Sequence, residues 1–218
     1  MANQKNLKQG LYNSKNEHDS CGVGFIANIH GKKSHRIVKQ GLEILTNLTH
    51  RGATGYDPKL GDGAGLLMQI SDPFFRNAAE NLKLNLPSAG YYGIGMVFLP
   101  QTKEKRERYE LLISNVIKEE GQYEIGWRNV PVNNKNIALA AKDVEPVIKQ
   151  IIIGRNKICS SQDDFERKLF VIRKRIEIEV GKLNIDDPAK FYIASMSSRT
   201  IVYKGMLLAC EVGIYFKD

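Results

Sequence analysis

Residues 19–27 read Asp19-Ser20-Cys21-Gly22-Val23-Gly24-Phe25-Ile26-Ala27, with a cysteine where a polar leader gives way to an apolar run. The run continues to Ile29 and predicts a buried β-strand over 22–29. A cysteine that enters a strand is commonly a small buried hydrophobic residue. The same cysteine at a free N-terminus would instead combine a thiol and an α-amine in one residue.

A cut between Ser20 and Cys21 would release that amine. Thiols and α-amines have pKa values of roughly 8.5 and 8. An adjacent amine can activate a weak nucleophile, as in enzymes with a catalytic N-terminal threonine. Gly22 suits this use because, without a side chain, it lets a substrate carbonyl approach the backbone beside the sulfur. The residues alone leave two interpretations of Cys21 open, a buried structural thiol and a nucleophile. Residues 1–20 are accordingly a pro-segment or a loose end.

Length and composition indicate a soluble globular protein. The 218 residues are 42% hydrophobic, enough for a sizeable core in one large domain or two small ones. No apolar run approaches the roughly 18 residues of a membrane span, and the leader lacks the apolar centre of a secretory signal. The three cysteines are widely spaced, which argues against a disulfide framework or a metal site in this segment. We expect reduced thiols in the cytoplasm, or in the plastid stroma of a photosynthetic eukaryote.

The net charge of +8 raises the possibility of a nucleic-acid-binding module. Its distribution argues for a different origin. Basic residues over 103–108 alternate with glutamates, and those over 167–175 share their helix with Glu166, Glu177 and Glu179. Such mixed runs are typical of solvated helix faces with i,i+4 ion pairs. A basic nucleic-acid-binding module therefore stays as the alternative to an enzyme.

Hydrophobic periodicity predicts a layered α/β or α+β domain. The predicted helices cover 35–49 after a Ser34 cap, 72–84 with Asp72 as N-cap, 102–120, and 161–181 beginning at Ser161 or Gln162. The predicted strands cover 22–29, 63–70, 91–99, 123–132, 147–153, 191–195 and 200–203. His50-Arg51-Gly52 would lie at the end of the first helix, where a cation is favourable without any catalytic role.

The glycines of Gly61-Asp62-Gly63-Ala64-Gly65-Leu66 do not fit a nucleotide loop. A dinucleotide fingerprint needs a third glycine where Leu66 stands, and it leads into a helix rather than a strand. No Gly-Lys-Ser/Thr is present for a phosphate loop. From the residues alone, Asp62 is a turn former.

Three separated motifs resemble the class-II glutamine amidotransferases, and within them the glutamate synthase family. They are Cys21-Gly22-Val23-Gly24-Phe25, Leu48-Thr49-His50-Arg51-Gly52 and Gly61-Asp62-Gly63-Ala64-Gly65-Leu66. The insert Ala53–Gly61, the segment Phe191-Tyr192-Ile193 and the segment 197–206 are also similar to that family. The likeness extends from about His18 to Gly205.

The resemblance implies an α+β fold, the four-layer αββα arrangement of N-terminal-nucleophile hydrolases, with stacked antiparallel sheets and Cys21 on a central strand. It implies that residues 1–20 are a pro-segment and that residues 21–218 are the N-terminal portion of the amidotransferase domain, incomplete at its C-terminus. It implies Cys21 as the catalytic nucleophile and Arg51, Gly52 and Asp62 as substrate-binding residues. His50 is expected to be structural, because the family uses the α-amine as its base.

The resemblance also implies a reaction. Glutamine would be hydrolysed through a Cys21 thioester, and the ammonia would pass to a synthase site elsewhere on the chain that makes glutamate from 2-oxoglutarate. FMN, a [3Fe-4S] cluster and an electron donor, either ferredoxin or an NAD(P)H-linked small subunit, belong to the complete enzyme. No cofactor is expected in this segment. Another N-terminal-nucleophile amide hydrolase is a second alternative.

The family's oxyanion hole contains an Asn-Gly dipeptide, and none occurs in this sequence. Ser198-Arg199-Thr200 only partly resembles the family's carboxylate-binding segment, so Arg199 is not assigned to the site. Since loss of one oxyanion donor lowers rates about 10²- to 10³-fold, we expect these 218 residues alone to hydrolyse glutamine poorly.

We predict that the mature protein begins at Cys21, because only then does the α-amine become available as a base. Intact-mass analysis of active protein from its source is expected to show a chain without residues 1–20. Fully active protein that retains those residues would contradict the prediction.

Overall fold

The computed structural model describes residues 21–52, 54, 57–183 and 191–218. The predicted pro-segment 1–20 lies outside the described residues. Two short 3-10 turns, Thr49–Arg51 and Ala209–Glu211, accompany the helices and strands. The helices and strands are α1 (His35–Asn47), β1 (Ala64–Gln69), α2 (Asp72–Asn81), β2 (Tyr92–Leu99), α3 (Lys103–Glu119), β3 (Tyr123–Asn129), α4 (Leu139–Lys142), β4 (Val147–Gly154), α5 (Gln162–Gly181), β5 (Tyr192–Ser197), β6 (Thr200–Gly205) and α6 (Val212–Tyr215).

The larger sheet has the strand order β3-β4-β2-β5, and each neighbouring pair is antiparallel. Its centre is β2 paired with β4, from Tyr92 opposite Gly154 to Leu99 opposite Val147. Apart from Lys149 and Gln150 of β4, both strands are apolar on both faces, which is typical of strands covered on each side. Val97 and Leu99 belong to one core cluster, whereas Ile94 and Met96 belong to the other.

Helices α3 and α5 cover one face of this sheet. The apolar residues of both helices face the sheet: Ile113 and Ile117 of α3 are fully buried, as are four residues of α5, Phe165, Leu169, Ile172 and Ile176. Helix α5 begins with a capping box, in which Ser161 Oγ accepts from the Asp164 amide and the Asp164 carboxylate accepts from the Ser161 amide. Hydrogen bonds from Ser160 and Ser161 lower the pKa of Asp164 to about 2.

The smaller sheet pairs β1 with β6 antiparallel, with Leu66 opposite Tyr203. Ile201 and Tyr203 pack into the core cluster that also contains the second face of β2 and β4. Helix α1 packs closely on β1. A β-carbon placed on Gly41 of α1 would be only 2.9 Å from Leu66 Cδ1 of β1. The predicted α+β class with two antiparallel sheets and packed helices is thus confirmed.

The predicted strand over 22–29 is wrong. This segment has no regular secondary structure, and Val23, Phe25 and Ile29 are each 87% exposed or more. A β-strand needs a hydrogen-bonding neighbour, and no strand among the described residues pairs with this segment. Cys21 therefore does not lie on a central strand in this structure.

Helix α2 differs from its prediction at both ends. Ser71 is the N-cap, so Asp72 is the first helical residue and Pro73 the second. The helix ends at Asn81 because Lys83 adopts a left-handed conformation with φ 57°, which a helix cannot continue. Within the described ranges, no helix is both long and apolar enough to cross a membrane.

We predict that Leu169→Ala lowers the free energy of unfolding by about 2–5 kcal/mol, the usual effect of a cavity at a buried leucine. Leu169 is fully buried and packs directly on Gly93 of β2. Ile178→Ala is the matched control on the same helix, because Ile178 is 60% exposed and should change stability little. Urea unfolding of both variants measures the difference, and equal losses would contradict this placement of the core.

Candidate active site

Cys21 is exposed and lies beside the C-terminal end of α1. A β-carbon placed on Gly22 would be 3.0 Å from Arg51 Cβ and 3.3 Å from Leu48 Cβ. One placed on Gly24 would collide with Ile44 Cγ2. The two glycines therefore allow the backbone after Cys21 to lie directly on the last turns of the helix. Larger residues would push the cysteine away from Arg51.

The turn Thr49–Arg51 brings the predicted substrate-binding residues to this place. The Arg51 amide donates to the Leu48 carbonyl at 2.8 Å, and the Gly52 amide donates to the Thr49 carbonyl at 3.1 Å. The tightened backbone puts the stem of Arg51 against Gly22. His50 Nδ1 lies 3.0 Å from the carbonyl oxygen of Asn47, within its own helix end. That contact agrees with the structural role predicted for His50.

Asp62 approaches the same turn from the other side. A β-carbon on Gly52 would be 3.6 Å from Asp62 Oδ1, so this carboxylate faces the Gly52 backbone in the absence of any side chain there. The structure thus places Cys21-Gly22, Arg51-Gly52 and Asp62 in a continuous row. They are distant in sequence, yet each segment contacts the next.

Gly61 holds the Asp62 loop on the body of the domain. It is buried and bridges to Thr54. A β-carbon on Gly61 would be 2.5 Å from the Leu208 amide nitrogen and would also collide with the Leu207 carbonyl group. Gly63 follows with φ 133°, a conformation that side chains rarely adopt, and the chain then enters β1. The glycine cluster therefore serves close backbone packing. It leads into a strand, as predicted.

The other two cysteines lie outside this row. Cys159 is buried, and Gln122 Nε2 is 3.5 Å from its sulfur. Cys210 is exposed. The turn Ala209–Glu211 that carries it lies on the surface beside α1. Across the described residues, no group of three or more His, Cys, Asp or Glu side chains could hold a metal ion.

Ser198-Arg199 forms the connection from β5 to β6, where the chain passes from one sheet to the other. The Glu166 carboxylate of α5 accepts from the Ser198 amide at 2.8 Å and from Ser198 Oγ at 2.7 Å. It also accepts from Ser197 Oγ. Arg199 forms an ion pair with Asp163. The sequence did not reveal this role of Glu166, because the residue resembles the other charged residues of a solvated helix face. The serine-rich stretch 195–198, which lies far from Glu166 in sequence, was a weak indication of a buried hydrogen-bond acceptor.

The sequence of the chain matches a known family. The sequence model described as "Glutamine amidotransferases class-II" matches residues 21–218, so its match begins at Cys21. The chain belongs to this family.

The curated relatives of the chain have names that are more specific than the family description. The chain is 46% identical over 216 residues to "Glutamate synthase [NADPH] large chain" of Bacillus subtilis, covering 99% of this chain and 14% of that protein. It is 40% identical over 208 residues to the protein of the same name from Azospirillum brasilense, covering 95% of this chain and 13% of that protein. It is 38% identical to "Ferredoxin-dependent glutamate synthase" of Pyropia yezoensis, with the same coverage, 95% and 13%. The chain thus spans about one seventh of the length of these relatives.

We predict that Gly61→Ala destabilises the protein by about 1–3 kcal/mol, since the added methyl group would overlap the Leu207–Leu208 backbone. Gly181→Ala is the matched control: nothing lies within 4 Å of its would-be β-carbon, so it should be neutral or slightly stabilising. Thermal or urea unfolding measures both variants. A Gly61→Ala variant as stable as Gly181→Ala would show that the Asp62 loop is not held in this way.

Proposed function

We propose that this chain is the glutaminase part of a glutamate synthase, with residues 1–20 as a pro-segment and residues 21–218 as amidotransferase domain. The observation that supports this proposal most directly is the contact between Gly22, in the Cys21 segment, and Arg51. It unites the first two sequence motifs, and Asp62 beside Gly52 adds the third. The family match that begins at Cys21 supports the same division.

Cys21 is the proposed nucleophile. Its sulfur attacks the side-chain amide carbon of glutamine, and the Cys21 α-amine accepts the thiol proton and delivers it to the departing ammonia. Water then attacks the thioester, which releases glutamate and restores the thiol. While Ser20 precedes Cys21, the nitrogen is part of a peptide bond and cannot act as a base. Removal of residues 1–20 is therefore a chemical requirement of this mechanism.

Arg51, Gly52 and Asp62 form the proposed glutamine pocket. The Arg51 stem packs against Gly22, so its guanidinium group supplies positive charge beside the nucleophile. Gly52 leaves the backbone accessible between Arg51 and Asp62. Asp62 orders this turn by its approach to Gly52 and takes no part in proton transfer.

The released ammonia is proposed to pass to a synthase site on the rest of the chain, where 2-oxoglutarate is converted to glutamate. FMN and a [3Fe-4S] cluster would serve that site. The relatives' names include NADPH, NADH and ferredoxin, so either kind of electron donor fits this proposal. The cell compartment follows the source, cytoplasm or plastid stroma.

The charge pairs of the helical layer weigh against the nucleic-acid alternative. Arg175 pairs with Glu119 and Glu120, and Lys168 also pairs with Glu120. These two basic side chains are thereby neutralised by carboxylates on α3 and its C-cap. These pairs join α5 to α3 and its C-cap, whereas the predicted i,i+4 pairs within one helix are present as Lys103–Glu107 and Arg173–Glu177.

We predict that Cys21→Ser abolishes glutamine-dependent glutamate formation by the complete glutamate synthase and leaves ammonia-dependent formation unchanged. Only ammonia release uses the thiol, which explains the split. Cys210→Ser is the matched control, because it removes the other exposed thiol and should leave both activities intact. Steady-state assays with each nitrogen source measure the split. Equal loss of both activities in a folded Cys21→Ser enzyme would refute the proposed function.

A further inference from the structure

Four side chains form a closed ring of hydrogen bonds between the two sheets. Arg128 of β3 donates through Nη1 to Gln150 Oε1 of β4 at 2.9 Å, and Gln150 Nε2 donates to the Tyr203 hydroxyl of β6 at 3.0 Å. That hydroxyl donates to Asp218 Oδ2 at 3.0 Å. Arg128 closes the ring with two bonds to the Asp218 carboxylate, at 2.5 and 2.7 Å. We call these four residues the polar ring.

The polar ring is buried. Gln150 is 0% and Tyr203 is 5% exposed, and the side chains of Arg128 and Asp218 are only 12% and 5% exposed. Burial and the neighbouring Asp218 charge raise the pKa of Tyr203, so its hydroxyl stays protonated and available as a donor. It both donates and accepts within the ring. Such fully paired buried networks impose one geometry, because any displaced member leaves a buried polar group unpaired.

The ring fixes the C-terminal half of β6. Tyr203 lies two residues before Gly205, which is opposite Ala64 in the β1–β6 register. Beyond Gly205, the backbone of Leu207 and Leu208 is the surface on which Gly61 rests. The Gly205 carbonyl oxygen also lies next to Gly63. The same short stretch of chain therefore supports both residues that flank Asp62.

We propose that the polar ring positions the Asp62 loop of the candidate active site. Tyr203 is a positioning residue: it holds the end of β6 against the larger sheet, and the end of β6 carries Gly61 and Gly63. The catalytic consequence rests on the proposed function, whereas the coupling of the ring to the loop does not. The two parts are tested separately.

Hydrogen exchange of the 218-residue chain tests the coupling. Tyr203→Phe removes the hydroxyl group that closes the polar ring and keeps the aromatic side chain in place. We expect amides in peptides covering 61–66 and 203–208 to exchange about five- to tenfold faster, the effect of losing a hydrogen bond or two, with those of 92–99 unchanged. Tyr91→Phe is the matched control, because Tyr91 is 51% exposed and outside the ring, and it should change nothing. Uniform acceleration over the whole chain, or none, would overturn the proposal.

Kinetics of the complete enzyme test the consequence. With Tyr203→Phe we expect the KM for glutamine to rise about five- to tenfold while ammonia-dependent activity is unchanged. Faster local exchange with an unaltered glutamine KM would overturn the positioning role. The proposed function itself is judged by Cys21→Ser, so the two failures are distinguishable.

Arg128→Lys is the second variant, because lysine keeps the charge but cannot make all of the arginine's hydrogen bonds. It should show the same local acceleration of hydrogen exchange as Tyr203→Phe.

Discussion

The pairing of β2 with β4 is the constraint on which the rest of the structure depends. Apart from Lys149 and Gln150, the two strands are apolar on both faces, and their apolar side chains divide between two core clusters. A sheet with two apolar faces must be covered twice. One cover is the helical layer of α3 and α5, and the other is the β1–β6 sheet with the segments that pack on it. The layered α+β architecture follows from this central pair.

The candidate site depends on backbone approaches rather than on side-chain packing. Gly22 lies on Arg51, and Gly61 lies on the Leu207–Leu208 backbone. A row of exposed polar groups contributes little to folding, so the domain must supply rigid support from underneath. The site is thus a surface feature on a scaffold whose two cores lie elsewhere. That separation explains how Cys21 can be exposed in a well-packed domain.

Elements whose signals are local could be predicted from the sequence. Helices α3 and α5 agree with prediction to within about one residue at each end, because the apolar stripe with a period of 3.6 residues that identifies each helix lies within the element itself. The strand over 22–29 failed because its stability depends on a partner, which no local pattern reveals. The motifs predicted that Arg51, Gly52 and Asp62 belong together, and the structure places them in one row with Gly22. The polar ring could not be predicted: its members lie up to 90 residues apart, and each resembles an ordinary surface residue.

The passage from β5 to β6 has a mechanical consequence. Only Ser198 and Arg199 connect the sheets there, and Glu166 clamps this corner onto α5. The Arg128–Asp218 pair braces a second point, near the other end of β6. Pins at two separate corners oppose both sliding and hinging of one sheet against the other, so we expect the two sheets to move as one unit. Residues 21–29, which pair with no described strand, lie outside this bracing.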